Sequence, residues 1–400
     1  MPIANYIRET MNSKGASVIR KMFEEGAQLK AQFGEDNVFD FSIGNPDLEP
    51  PKEVTDYIQK VANEETKGCH GYMPNAGYMS TRQAMADKVA QEQGCEITGK
   101  HVVMSVGAAA ALNVVFKSIL TEGDEVVVPC PYFAEYNHYV NNYHGKLIPI
   151  PAKDDMSLDI EAIARSLSPK TAAVLINSPN NPSGKIYSEE QIKDLAHILR
   201  VHGEKVGRMP YLICDEPYRA ITYGGRKVAP VFPVYDSAVI VSSFAKNLSL
   251  PGERIGYIAI NPKAADADEF IAACIFSTRI LGYVNAPAFF QRVVEKTWNA
   301  PADYSSYEKR CEQISKVVYD AGIEYITPEG AFYLFCKVPA RKTEGATDDF
   351  TFCNHLKKYN ILCAPGTGFG CPGHFRISYC VAEKTILNSA AAFKKAMLDW

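Results

Sequence analysis

Between residues 102 and 260 the chain repeats one pattern: a short β-branched run, a stretch of helical character, then another run. The runs are Val102–Ser105, Glu125–Val128, Lys146–Ile150, Ala172–Ile176, Tyr211–Cys214, Ala238–Val241 and Ile255–Ile260. Short apolar runs of this kind suit strands buried on both faces. Their alternation with helices predicts an α/β fold, a mostly parallel seven-stranded sheet flanked by helices. Ser188 and Gln191 form a capping box for one of those helices. The last two runs are separated by about a dozen residues, short for a parallel crossover, so the last strand is expected to run antiparallel to its predecessor.

The ends of the chain have a different grain. Residues 1–40 read as a helical opening segment, with Ile19, Met22 and Phe23 apolar among charges. The stretch Phe41-Ser-Ile-Gly-Asn-Pro-Asp-Leu-Glu-Pro-Pro51 marks an ordered loop. Past residue 285, a helical stretch Tyr304–Asp320 leads to an apolar strand Ala331–Cys336, a helix Asp349–Tyr359, a Gly/Pro loop at 365–373, a strand Phe375–Tyr379 and a closing helix. The expected division is an N-terminal segment 1–50 that joins the small domain, a large domain 51–285, and a smaller α+β domain 286–400.

Composition narrows the function. A net charge of −4 over 400 residues, with no basic block, argues against nucleic acid as partner. Neither a signal peptide nor an apolar run long enough to span a membrane is visible. The eleven cysteines are scattered without CxxC spacing, which fits reduced, buried thiols and a cytoplasmic location. The eight histidines show no metal-like partner set, and no metal is expected. Gly366-x-Gly368-x-Gly370 lacks the context of a dinucleotide fingerprint, and Gly184-Lys185 lacks a Walker A frame.

Chemistry concentrates at strand ends, where open α/β sheets bind ligands. Lys246 stands just past the run Ala238–Val241, in Ser242-Ser-Phe-Ala-Lys246. Desolvation there lowers an amine's pKa and frees it for Schiff-base chemistry. Ser243 and Arg254 flank it, and a hydroxyl with a guanidinium suits a phosphorylated aldehyde. Asp215, in Asp-Glu-Pro-Tyr218, is a carboxylate at a buried strand end that needs a cation, and a protonated pyridine nitrogen would serve; a helix N-cap is the plainer alternative. Asn181, in Asn-Asn-Pro-Ser-Gly184, is either a turn former or a donor to a ring oxygen. Gly107-Ala108-Ala109 opens a helix whose free amides could hold phosphate. Phe133 could stack on a flat ring or pack in the core. Arg376, a charge inside an apolar run, could clamp a carboxylate.

Taken together these residues resemble the class I/II aminotransferases, fold-type I pyridoxal-phosphate enzymes related to aspartate aminotransferase, and the likeness runs from Gly44-Asn-Pro46 to Arg376. The resemblance implies pyridoxal 5'-phosphate as cofactor and Lys246 as the Schiff-base lysine that also moves the proton. It implies Asp215 at the pyridine nitrogen, Asn181 and Tyr218 at the ring oxygen, and Phe133 as the stacking aromatic. Ser243, Arg254, Gly107 and the amides of Ala108 and Ala109 would form the phosphate cup. Tyr72 would reach the phosphate of a neighbouring subunit, hence a homodimer. Arg376, Asn181 and the backbone of Gly44 would take the α-carboxylate. An arginine for a distal carboxylate is expected just before a Tyr-x-Asn segment; Tyr283-Val-Asn285 is present, and Arg279 lies one position from the expected place.

The implied activity is transfer of an α-amino group from an L-amino acid to a 2-oxo acid such as 2-oxoglutarate, with an aspartate-like donor first and aromatic or alanine-type donors next. A carbon–sulfur β-lyase would use the same lysine. A transcription-regulator effector domain would need a DNA-binding segment for which no length is seen before residue 40.

Overall fold

The computed structural model describes residues 3–12, 18–341, 345 and 347–400. Lys14, one of the charges of the opening segment, lies outside the described residues. The helix Val18–Phe33 covers Ile19, Met22 and Phe23, whose side chains are outside the described set. Thirteen strands are found among the described residues. They are β1 (Phe39–Asp40), β2 (Val102–Ser105), β3 (Glu125–Pro129), β4 (Lys146–Ile150), β5 (Thr171–Asn177), β6 (Tyr211–Asp215), β7 (Ala238–Ser243) and β8 (Gly256–Ile260). The remainder are β9 (Tyr325–Ile326), β10 (Tyr333–Lys337), β11 (Ile361–Leu362), β12 (Ala364–Pro365) and β13 (His374–Ser378).

The seven central strands form one sheet in the order β2-β8-β7-β6-β5-β3-β4. Only β8 runs against its neighbours, β7 and β2. The short connection through Lys246 leaves no room for a crossover helix, so the chain turns back on itself. Period-two alternation then sends side chains to two cores. Val103, Val126, Leu175, Ile213 and Val239 face one layer of helices, while Met104, Val127, Val174, Leu212 and Ile240 face the other. Burial on both faces explains why these strands read as continuous apolar runs. The helix Glu189–Val206 carries the expected capping box at Ser188 and Gln191, and Gly207 ends it in the left-handed conformation.

A second sheet, β12-β13-β10-β9, is antiparallel and carries its own core around Phe332, Leu334, Phe352, Phe375 and Phe393. The N-terminal segment joins that core: β1 pairs in parallel with β11, and Phe41 stacks on Phe393. The helix Ala288–Thr297 lies past residue 285, yet it sends Val293 and Val294 into the large sheet's core.

Candidate active site

The carboxyl ends of β2, β5, β6 and β7 open toward β13 of the small sheet. A cavity of about 330 Å³ lies between them. Because β8 is antiparallel, it starts at this same edge: Gly256 pairs with both Ser243 and Ser105. Arg254, just before β8, therefore arrives beside the loop that follows β2.

The Lys246 amine donates to the Gly44 carbonyl oxygen at 2.7 Å. Burial lowers its pKa to about 8; Arg376 and Arg254 push the same way, and Cys380 opposes them. A lysine so placed has a usable population of free amine near neutrality.

Asp215 closes β6 and is buried. Its Oδ2 accepts from the Tyr136 hydroxyl at 2.5 Å, and its Oδ1 has no partner. Burial raises the carboxyl to about 7, the Tyr136 hydrogen bond holds it down, and Glu216 pushes it up. A buried carboxylate oxygen without a donor is costly. A ring nitrogen carrying a proton supplies both the donor and the cation it lacks, so this site fits pyridoxal phosphate.

The other end of the cavity fits a phosphate. The helix Gly107–Ile119 starts there, with Ala108 and Ala109 at the wall, opposite Ser243 and Arg254. Gly107 has φ +79, and a Cβ on it would lie 2.8 Å from the Arg254 Nη2. Only glycine lets the guanidinium come this close to the helix start, where backbone amides and a positive charge lie together, a pairing that suits an anion.

Asn181 and Arg376 meet across the two sheets. Arg376 donates through Nη1 to the Asn181 Oδ1 at 2.9 Å and through Nη2 to the Ser42 carbonyl at 2.6 Å. The guanidinium lies between the rings of Tyr333 and Phe369, 4.7 and 4.8 Å from their centroids. Its Nε is buried with no partner. Asn177, the last residue of β5, accepts from the Asn181 amide at 2.7 Å and donates to the Asp215 carbonyl at 2.7 Å, so the Asn181 turn is tied to the end of β6.

Most of the expected residues therefore converge. Gly44, Ala108, Ala109, Phe133, Asn181 and Asp215 line the cavity, as do Tyr218, Ser243, Lys246, Arg254 and Arg376. Phe133 also meets Tyr136 edge-on at 5.6 Å. Two do not converge within the chain. Tyr72 is 92% exposed. Arg279 ends the exposed face of the helix Ala267–Ile280, with its guanidinium 5.2 Å from the Phe276 ring centroid. Sequence reading missed Tyr136, Asn177, Tyr333 and Phe369. Tyr136 is one of several tyrosines in the run 132–143, with nothing local to single it out. Asn177 had a legible signal, an amide closing a β-branched run directly before the turn.

Among the described residues no group of His, Cys, Asp and Glu could hold a metal ion, and no helix is long and apolar enough to cross a membrane.

Known proteins place this geometry. The family model described as Aminotransferase class I and II matches residues 36–393. An aspartate aminotransferase of Geobacillus stearothermophilus is 32% identical, over 90% of this chain and 90% of its own. A probable aspartate/prephenate aminotransferase of Aquifex aeolicus is 31% identical, over 90% and 91%. Among solved structures, an amino transferase from Eubacterium rectale superposes with a TM-score of 0.94 at 36% identity, covering 100% of this chain and 99% of that one. Aspartate aminotransferase from Thermus thermophilus with maleate gives 0.86 at 25% identity, covering 99% and 100%. With the family model matched over nearly its whole length, this chain belongs to the class I and II aminotransferases, which depend on pyridoxal phosphate.

Proposed function

We propose that this aminotransferase takes the α-amino group of an aspartate-like donor and passes it to a 2-oxo acid such as 2-oxoglutarate. The observation that carries the site assignment is the convergence of three unfinished groups on one cavity: the Lys246 amine, the partnerless Asp215 Oδ1 and the partnerless Arg376 Nε. Bound pyridoxal phosphate supplies an electrophilic carbonyl and an electron-accepting ring. Ser243, Arg254 and the amides of Ala108 and Ala109 would hold the phosphate. Asp215 would hold the ring nitrogen protonated, Phe133 would pack on the ring, and Asn181 and Tyr218 would serve the ring oxygen. Arg376 and the Gly44 backbone hold the substrate carboxylate. That grip would set the substrate's α-hydrogen toward Lys246, whose free amine would take the proton from the α-carbon and keep it from going back there. Positioned acid–base help of this kind is worth about 10²–10⁴-fold.

The aspartate-like donor rests on the relatives' names and on Arg279. Arg279 and Tyr72 lie outside their own chain's cavity, so we assign both to the cavity of a second copy in a homodimer. Eleven free cysteines fit a reducing compartment such as the cytoplasm. The test is a spectral titration of the cofactor-loaded protein with single amino acids and no 2-oxo acid. Aspartate or glutamate should bleach the visible band. A band that answers other amino acids but neither of these ends the dicarboxylate assignment.

A further inference from the structure

Tyr333, the first residue of β10, touches three parts of the site at once. Its hydroxyl lies 2.8 Å from the hydroxyl of Tyr218. Its ring face carries the Arg376 guanidinium. Its hydroxyl also sits over Gly44, where a Cβ would overlap it, and the Gly44 carbonyl is the one that holds Lys246. The ring is buried, and its neighbours Phe332 and Tyr218 pack around it at 5.0 and 5.6 Å.

Each phenol has one proton to give and can accept as well, so the pair has two possible directions. Chemistry selects one. Tyr218 can serve the cofactor's ring oxygen only by donating to it, which leaves Tyr218 to accept from Tyr333. Burial raises both phenols, Tyr218 well above its ordinary value and Tyr333 to about 12, and the Arg376 guanidinium opposes the rise in both while lying against the Tyr333 ring, so Tyr333 is the better donor.

Resting on the Lys246–cofactor reading above, we propose that Tyr333 is a positioning residue for the transamination. Its hydroxyl donates to Tyr218 and so turns the Tyr218 proton toward the ring oxygen. Its ring keeps the Arg376 guanidinium flat for the substrate carboxylate. The carboxylate clamp and the ring-oxygen donor are thereby held by a single side chain. The titratable or charged groups facing the hydroxyl pair are Arg376, Asp215, Cys380 and Lys246.

The test is the pH titration of the visible band of the cofactor held on Lys246. A hydroxyl donating to the ring oxygen competes with the protonated Lys246 nitrogen for that oxygen's charge. Weakening the donor lets the nitrogen keep its proton to higher pH. Tyr333→Phe keeps the ring and should move the transition up by roughly half a unit, a fraction of one hydrogen bond. KM for the amino acid should stay within about twofold, since the stack on Arg376 survives; Tyr333→Leu should move the transition and raise KM about tenfold. In a Tyr218→Phe background, adding Tyr333→Phe should shift the transition no further, because Tyr333 acts through Tyr218. A transition that ignores Tyr333→Phe, or a second shift in the double variant, overturns the proposal. A wild-type protein with no visible band after loading with pyridoxal phosphate would instead end the cofactor reading itself, so the two failures are distinguishable.

Discussion

Arg376 of the small sheet donates to Asn181, in the turn that follows β5 of the large one, at 2.9 Å and across 195 residues of sequence. Both ends of this bond are buried, and both residues line the cavity. The link makes the position of Arg376, the proposed carboxylate clamp, depend on the turn that follows β5. Losing either partner leaves the other buried and unsatisfied, at a cost of about 1–3 kcal/mol or more for a charged group.

Arg376→Lys tests the clamp. Lysine keeps the charge but cannot reach Asn181 and Ser42 as a planar fork. We expect KM for amino acids to rise about 10²-fold or more, with a smaller fall in kcat, read from steady-state kinetics. An unchanged KM would remove Arg376 from substrate binding.

Lys246→Ala should abolish turnover, by at least about 10⁴-fold, because the proposed nucleophile and proton carrier vanish together. The protein should still fold, since the residue makes one hydrogen bond and fills little of the core. Circular dichroism paired with an activity assay decides it. Full activity in the purified variant would refute the assignment.

Tyr136→Phe removes the donor on the Asp215 Oδ2. Without that bond the carboxyl should rise above about 7, and the charged form proposed to hold the ring nitrogen becomes scarcer. We expect cofactor retention at neutral pH to weaken by about tenfold or more, measured by equilibrium dialysis. The loss should shrink as pH rises, because ionisation is then restored without help.

Stability of the cofactor-free protein should carry a matching signature. The Asp215 carboxyl titrates near 4 when exposed and at about 7 in the fold, so the folded state binds the extra proton between those values. Stability therefore falls as pH rises through that window and levels off above it. The lysine works in the other direction: the folded amine loses its proton from about 8, the unfolded one only near 10.5, so stability recovers between them. Denaturant midpoints across pH should show the acid-side fall in wild type and a smaller one in Asp215→Asn, where buried Glu216, also raised, still contributes. An identical profile in both would exclude Asp215 as its source.

Gly107→Ala strains a backbone at φ +79 and presses on Arg254. We expect about 1–2 kcal/mol of strain and a cofactor affinity lowered about tenfold, since the guanidinium must withdraw from the helix start. Affinity for pyridoxal, which lacks the phosphate, should change little, and competition between the two forms measures the difference.

Local pattern in the sequence determined a great deal here. The apolar runs marked all seven strands of the main sheet; burial on both faces explains six of them, while the edge strand β4 is exposed at Lys146 and Pro149. The short span through Lys246 foretold the antiparallel β8, because a dozen residues cannot cross over. Lys246, Asp215 and Asn181 were legible as polar groups placed at strand ends, where a sheet opens to ligands. What only the tertiary structure decided is who stands beside them. Tyr136 reaches Asp215 from 79 residues away, Tyr333 reaches Tyr218 from 115, and neither tyrosine differs locally from its neighbours in the chain. A hydrogen bond between distant segments leaves no periodicity behind. It exists only once the sheet's strand order has brought the two side chains together.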